Sequence, residues 1–240
     1  MYSDHEQYAE EWQKESQVMH SKGIYSALAS MTPEGNVLEF GCGAGHSSLS
    51  LLEKHDVLSL DNNQHLIEIA LKYLNENDYS AKILQCDFYN LTDADKQLIR
   101  NFNPKVIIGW LIGGSGTDQL KRVPHQQYDP EVSKKYRENI EDIIVATAKC
   151  IETVEYIQLA NRGYGVANAD KNDEFLGIKA DYDQYVFNEA GFEVISVETM
   201  AWKCEESEFN YAHAHNPNFA NGNEVDVVTV VTSILAKRIR

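Results

Sequence analysis

Val37-Leu38-Glu39-Phe40-Gly41-Cys42-Gly43-Ala44-Gly45 is the stretch on which the fold turns. Four residues of buried-strand character run into three alternating glycines, and His46-Ser47-Ser48 then opens a helix. Glycine lets the chain bend sharply and lets a ligand touch the backbone, while the helix start offers unpaired N–H groups at its positive end. A polar or charged ligand is expected on that turn. A dinucleotide site has the spacing G-x-G-x-x-G. Here the spacing is G-x-G-x-G, with Glu39 two positions before it. A carboxylate in that place repels a pyrophosphate and suits a ligand carrying an ammonium or sulfonium group.

Outward from the turn, apolar runs of strand length alternate with amphipathic segments. That alternation predicts an α/β fold with a mostly parallel sheet covered by helices on both faces. Seven strands are expected, at 37–40, 57–60, 82–85, 106–110, 154–160, 193–198 and 226–235. Ser3 and Glu6 have the spacing of a capping box, so a helix is expected to start there. Tyr8 and Trp12 share its face, and Ile24, Leu28 and Met31 continue helical spacing after Gly23. Leu66, Ala70, Tyr73 and Leu74 form a stripe of a further helix. Asp129-Pro130 reads as an N-cap with proline in first position, ahead of a helix facing inward through Val132, Tyr136, Ile140, Ile143 and Thr147. Another helix is expected to end at Gly191. Residues 111–128, 161–179 and 202–224 fit neither pattern. Each follows a strand, where loops rim the ligand crevice of an open α/β sheet.

The stretch Val37–Gly45 resembles the first motif of the class I, Rossmann-like S-adenosylmethionine-dependent methyltransferases. The resemblance implies a seven-stranded sheet closed by a C-terminal antiparallel hairpin. It also implies cofactor contacts from Glu39, Gly41, Gly43 and Gly45. Asp61 ends the second strand, where that class places an acid for both ribose hydroxyls, and Asn62 follows it. Asp87 and Phe88 take the positions of an acid near the adenine amino group and an apolar residue against the ring. Singly, each has an alternative: Asp61 or Asp87 capping a helix, Phe88 filling core, Asn62 turning the chain. Trp110 at the crevice end of its strand either walls the cofactor or packs. Lysine stands at 105, where the class usually has an acid opening the fourth strand.

The whole chain bounds the remaining choices. At 240 residues one domain is the default, read as N-terminal helices over 1–32 forming a lid and a core over 33–240. A formal net charge of −16 disfavours nucleic acid and anionic membrane as partners. Neither a secretory leader nor an apolar run long enough for a membrane helix is visible, so a cytoplasmic protein is expected. Cys42, Cys86, Cys150 and Cys204 lack metal or scaffold spacing and read as reduced thiols. Oligomeric state is not encoded legibly.

Acceptor chemistry has the thinnest signature. Neither the D/N-P-P-Y/F run of amino-directed DNA enzymes nor the Pro-Cys of cytosine-5 enzymes follows Gly109-Trp110. In-line methyl transfer draws much of its rate from positioning, so a dedicated base is optional. The candidates for one are His125 and Tyr128, with His213 and His215 in the last insertion; a metal at the latter pair lacks partners of recognisable spacing. The expected function is methyl transfer to a small-molecule or amino-acid-like acceptor. The alternatives are a protein or peptide acceptor, a cofactor-binding module without turnover, other sulfonium chemistry, and a nicotinamide oxidoreductase.

Overall fold

The computed structural model describes residues 3–123, 130–203, 207, 209, 211 and 227–239. Two helices lead, α1 (His5–Ser21) and α2 (Ile24–Met31). The first half of the core follows as β1 (Val37–Phe40), α3 (His46–Leu52), β2 (Val57–Asp61), α4 (Gln64–Glu76), β3 (Lys82–Gln85) and α5 (Asp93–Phe102). The second half holds β4 (Val106–Trp110), α6 (Gly116–Arg122), α7 (Pro130–Lys149), β5 (Tyr156–Val166), α8 (Lys171–Tyr182), β6 (Phe192–Ala201) and β7 (Val227–Arg238). The seven strands lie in the order β3-β2-β1-β4-β5-β7-β6. The first five run parallel, and β7 is antiparallel to both β5 and β6.

β1 and β4 are buried along their full length, as strands covered on both faces must be. One core gathers Leu38, Phe40, Ile107, Ile140, Ile144, Phe187 and Phe192 on the α7 face. The other joins Val37, Val106, Ile108, Met19 and Leu28 under α1 and α2. Among the described residues no helix is long and apolar enough to cross a membrane.

Several expectations shift in detail. The cap of α1 is Asp4, whose side chain accepts from Gln7 N–H at 2.9 Å. Ser3 Oγ instead accepts from Gly116 N–H at 3.1 Å, pinning the N-terminus to α6. The buried stripe of α7 continues through Ile144 and Ala148, with Ile143 and Thr147 half-buried beside it. Asp129 lies outside the described residues. Two of the irregular segments hold regular structure: α6 lies within 111–128, and β5 runs on to Val166 before α8 begins.

Candidate functional site

The strand order reverses between β1 and β4. Connections leave these neighbours in opposite directions, which opens a crevice at their carboxyl ends, the usual ligand seat of such sheets. A cleft of about 530 Å³, counted to its open mouth, occupies this point. Its walls include Tyr8 and Trp12 of α1, Gly41 and Gly43 of the turn, Asp61 and Asn62, Phe88, and the run Trp110–Ser115.

The glycine turn is anchored from below. Gly41 N–H and Cys42 N–H both donate to Leu60 O, at 2.8 and 3.2 Å. Gly43 has φ +50°, and a β-carbon there would stand 2.7 Å from Trp12 Nε1, so both conformation and space demand glycine. Gly45 serves packing: its α-carbon faces Ala70 of α4, and it does not line the cleft.

Glu39 is placed otherwise than a direct ligand contact requires. It points towards α3 and β2, where Ser47 Oγ donates to Oε1 at 2.5 Å, and Ser48 Oγ and Ser59 Oγ donate to Oε2 at 2.5 and 2.6 Å. Burial pushes its carboxyl upward, and the three hydroxyls oppose that rise. The carboxylate therefore lies beneath the turn, outside the cleft lining.

Asp61 does face the cleft. Its Oδ1 accepts from Asn63 N–H at 2.9 Å and its Oδ2 from Gly43 N–H at 3.1 Å. Burial raises this carboxyl too, against the pull of those backbone donors. Cys42 Sγ also donates to Oδ2, at 3.7 Å. An ionised carboxylate has about four acceptor positions, so Oδ1 keeps room for a ligand hydroxyl. Asn62 turns its Nδ2 to Asp118 Oδ2 at 3.4 Å, while Asn63 caps α4 and donates from Nδ2 to His5 O at 2.9 Å.

After β3, Asp87 caps the short turn Phe88–Asn90 and accepts from Arg122 at 2.7 Å. It stands beside the cleft, outside its lining, whereas Phe88 lines it and packs on Phe40 at 5.3 Å between ring centres. Trp110 is 5% exposed, and its Nε1 has no hydrogen-bond partner among the described residues. An unmet buried donor costs about 1–3 kcal/mol, which a ligand acceptor would recover. Next to it, Leu111 is held at φ 55°, a strained conformation for a branched side chain at a cleft wall.

Asp118 was not legible as a site residue. Ser115 caps α6 by accepting from Asp118 N–H at 3.2 Å, and Tyr136 Oη donates to Asp118 Oδ2 at 2.7 Å. The S-x-x-D spacing of Ser115 to Asp118 was the available signal. Tyr136 reads in sequence only as core; its hydroxyl reaches the cleft. His125, Tyr128, His213 and His215 lie outside the described residues.

Residues 37–102, which include the turn, Asp61 and Asp87, match a family model described as a methyltransferase domain. That match spans just over a quarter of the chain. No curated protein matches its sequence. Among solved structures, the [4+2]-cyclase SpnF is similar at 13% identity and a TM-score of 0.52, over 93% of this chain and 82% of that one. An RNA methyltransferase candidate from Pyrococcus horikoshii is similar at 13% identity and a TM-score of 0.50, over 92% of this chain and 83% of that one. At such identity the likeness bears on the fold. Trp110 Nε1, buried in the cleft wall without a partner among the described residues, and the remaining acceptor position of Asp61 suit a polar ligand.

Proposed function

We propose that this chain is an S-adenosylmethionine-dependent methyltransferase acting on a small-molecule or amino-acid-like acceptor. The roof of the cleft carries the reading. Tyr8 and Trp12 stack in parallel at 6.4 Å and press so closely on Gly113 and Gly43 that neither glycine has room for a β-carbon. A roof that close suits a compact ligand better than a polymer strand, and the net charge of −16 weighs against nucleic acid. Residues 1–32 act as a cover over residues 33–240 in one functional unit.

When bound, S-adenosylmethionine supplies an electrophilic methyl group on a sulfonium. Asp61 accepts the ribose hydroxyls, while Gly41 and Gly43 present backbone to the methionine end. Phe88 packs on the adenine, with Asp87 beside it shared with Arg122. Trp110 Nε1 donates to an acceptor atom in the cleft. Glu39 acts one layer below, fixing the turn through its serines and adding negative potential under the sulfonium. His125 and Tyr128 are the acceptor-side candidates for proton removal.

Calorimetric titration of S-adenosylhomocysteine tests the cofactor site. Two hydroxyl bonds to a charged acceptor give about a hundredfold loss of affinity in Asp61→Ala, with a smaller loss in Asp61→Asn. Unchanged affinity in both folded variants refutes the assignment. Labelled cofactor offered to a metabolite panel and a peptide array separates the acceptor classes; label confined to peptides overturns the small-molecule reading.

A further inference from the structure

β4 ends at Trp110, paired with Ala160, but β5 continues for six further residues paired with β7 alone. That overhang projects past the carboxyl ends of the parallel strands. Alternation sends Asn161 and Arg162 to opposite faces. Asn161 donates to Glu141 of α7 at 2.7 Å and to Tyr182 of α8 at 3.1 Å, a closed structural set. Arg162 goes the other way, to aromatic rings. Its guanidinium carbon lies 4.0 Å from the Tyr211 ring centre, 5.4 Å from that of Trp12 and 5.9 Å from that of Trp202.

Among the described residues this box supplies faces but no counter-charge. Arg162 Nη1 is buried without a hydrogen-bond partner, and Arg162 makes no ion pair, among these same described residues. A carboxylate of the same network, Glu15, 2% exposed, is engaged elsewhere: it accepts from Ser207 Oγ and Tyr211 Oη, each at 2.6 Å. That bond holds the Tyr211 ring against the guanidinium. Arg137 of α7 is a second cation, which feels the charge of Arg162 and is offset by its own neighbour Glu141. In a chain so acidic overall, a half-buried guanidinium stacked on three rings with an unmet N–H is set for an anion. A planar carboxylate matches its fork in two parallel bonds. Trp12 is a wall common to this box and to the cleft beside Gly43.

We propose that Arg162, held in the box of Trp12, Trp202 and Tyr211, anchors a carboxylate of the methyl acceptor, making small carboxylic acids the substrate class. The proposal rests on the small-acceptor reading above. A purely structural cation–π role would leave ligand preference untouched when Arg162 is changed.

Ligand-observed NMR titrations test this with benzoate, phenylacetate and N-acetylglycine against benzamide, phenylacetamide and N-acetylglycinamide. Each pair is measured with and without saturating S-adenosylhomocysteine. The wild-type protein should favour at least one carboxylate over its amide by about tenfold to a hundredfold. Arg162→Gln should abolish the preference, and Arg162→Lys should reduce it, since the charge remains and the fork is lost. Equal binding of every pair to the wild type, or a preference that survives in Arg162→Gln, overturns the proposal. If Arg162→Gln does not fold, an undiminished preference in Arg162→Lys overturns it as well. Absence of S-adenosylhomocysteine binding to the wild type would refute the cofactor reading instead, while the comparison without it still decides the role of Arg162.

Discussion

Substituting Gly113 by alanine should destabilise the protein, and removing one oxygen from Tyr8 should undo the damage. Gly113 has no positive φ, so alanine meets no backbone strain there. The obstacle is a single atom: a β-carbon would lie 2.8 Å from Tyr8 Oη, and the next nearest atom, Tyr8 Cζ, stands at an ordinary 3.9 Å. Overpacking of this kind costs about 1–3 kcal/mol. Alanine returns about 0.4–1 kcal/mol by restricting the unfolded chain, leaving a net loss near 1–2 kcal/mol. Tyr8→Phe deletes the clashing oxygen, and that hydroxyl has no hydrogen bond among the described residues. The double variant should therefore match Tyr8→Phe alone, with a coupling of about 1–2 kcal/mol in a urea double-mutant cycle. Gly114 provides the contrast. Its β-carbon would stand 2.6 Å from Tyr136 Oη but also 2.9 Å from Cζ and 3.1 Å from Cε1. Tyr136→Phe leaves the ring in the way and takes a donor from Asp118, so Gly114→Ala should not be rescued. Additive energies in the first cycle, or equal rescue in the second, would refute the claim that α1 and α7 bear on the cleft at these two points.

Two further outcomes follow from single groups. Burial pushes the Glu141 carboxyl up to about 7 from an ordinary 4.5. The folded state then holds its proton more tightly than the unfolded one, so the contribution is present at low pH and fades as pH rises through about 7. At about 1.36 kcal/mol per pH unit, reduced for partial exposure, wild type should lose about 2 kcal/mol more than Glu141→Gln between pH 5 and 8; parallel urea midpoints across that range would sink this. Trp110→Phe removes an unpartnered donor, so its stability should change by less than about 1 kcal/mol while affinity for S-adenosylhomocysteine falls about tenfold. Unchanged affinity would mean that the indole N–H faces no ligand.

The sheet was readable because its strands are unbroken apolar runs bounded by turn residues, and the glycine turn because its spacing excludes a common rival. Glu39 shows where reading stops. Sequence places an acid beside the turn, but whether it points at the ligand or beneath it depends on Ser47, Ser48 and Ser59, which come from two other elements. The length of β5 was hidden for a related reason. Asn161-Arg162-Gly163-Tyr164-Gly165 has the composition of a loop, and only the Val-rich partner β7 draws it out as a strand. Helix α6 is short and marked by one cap, and Asp118 acquires meaning only when Tyr136, eighteen positions on, folds back to it. Likewise nothing near Arg162 in sequence announces rings from positions 12, 202 and 211.

The reversal of strand order between β1 and β4 has a consequence for how the molecule comes together. β1, β2 and β3 pair with near neighbours in sequence, but Val37 meets Val106 only after the whole segment that carries β2 and β3 has been threaded past. Contacts of such long separation are slow to form, because the loop must close before any bond rewards it. One wall of the cleft comes from before this junction and the other from after it. The half-assembled chain therefore has no place to hold a ligand, and a ligand once seated ties the two halves together, adding its binding energy to the junction that closes last.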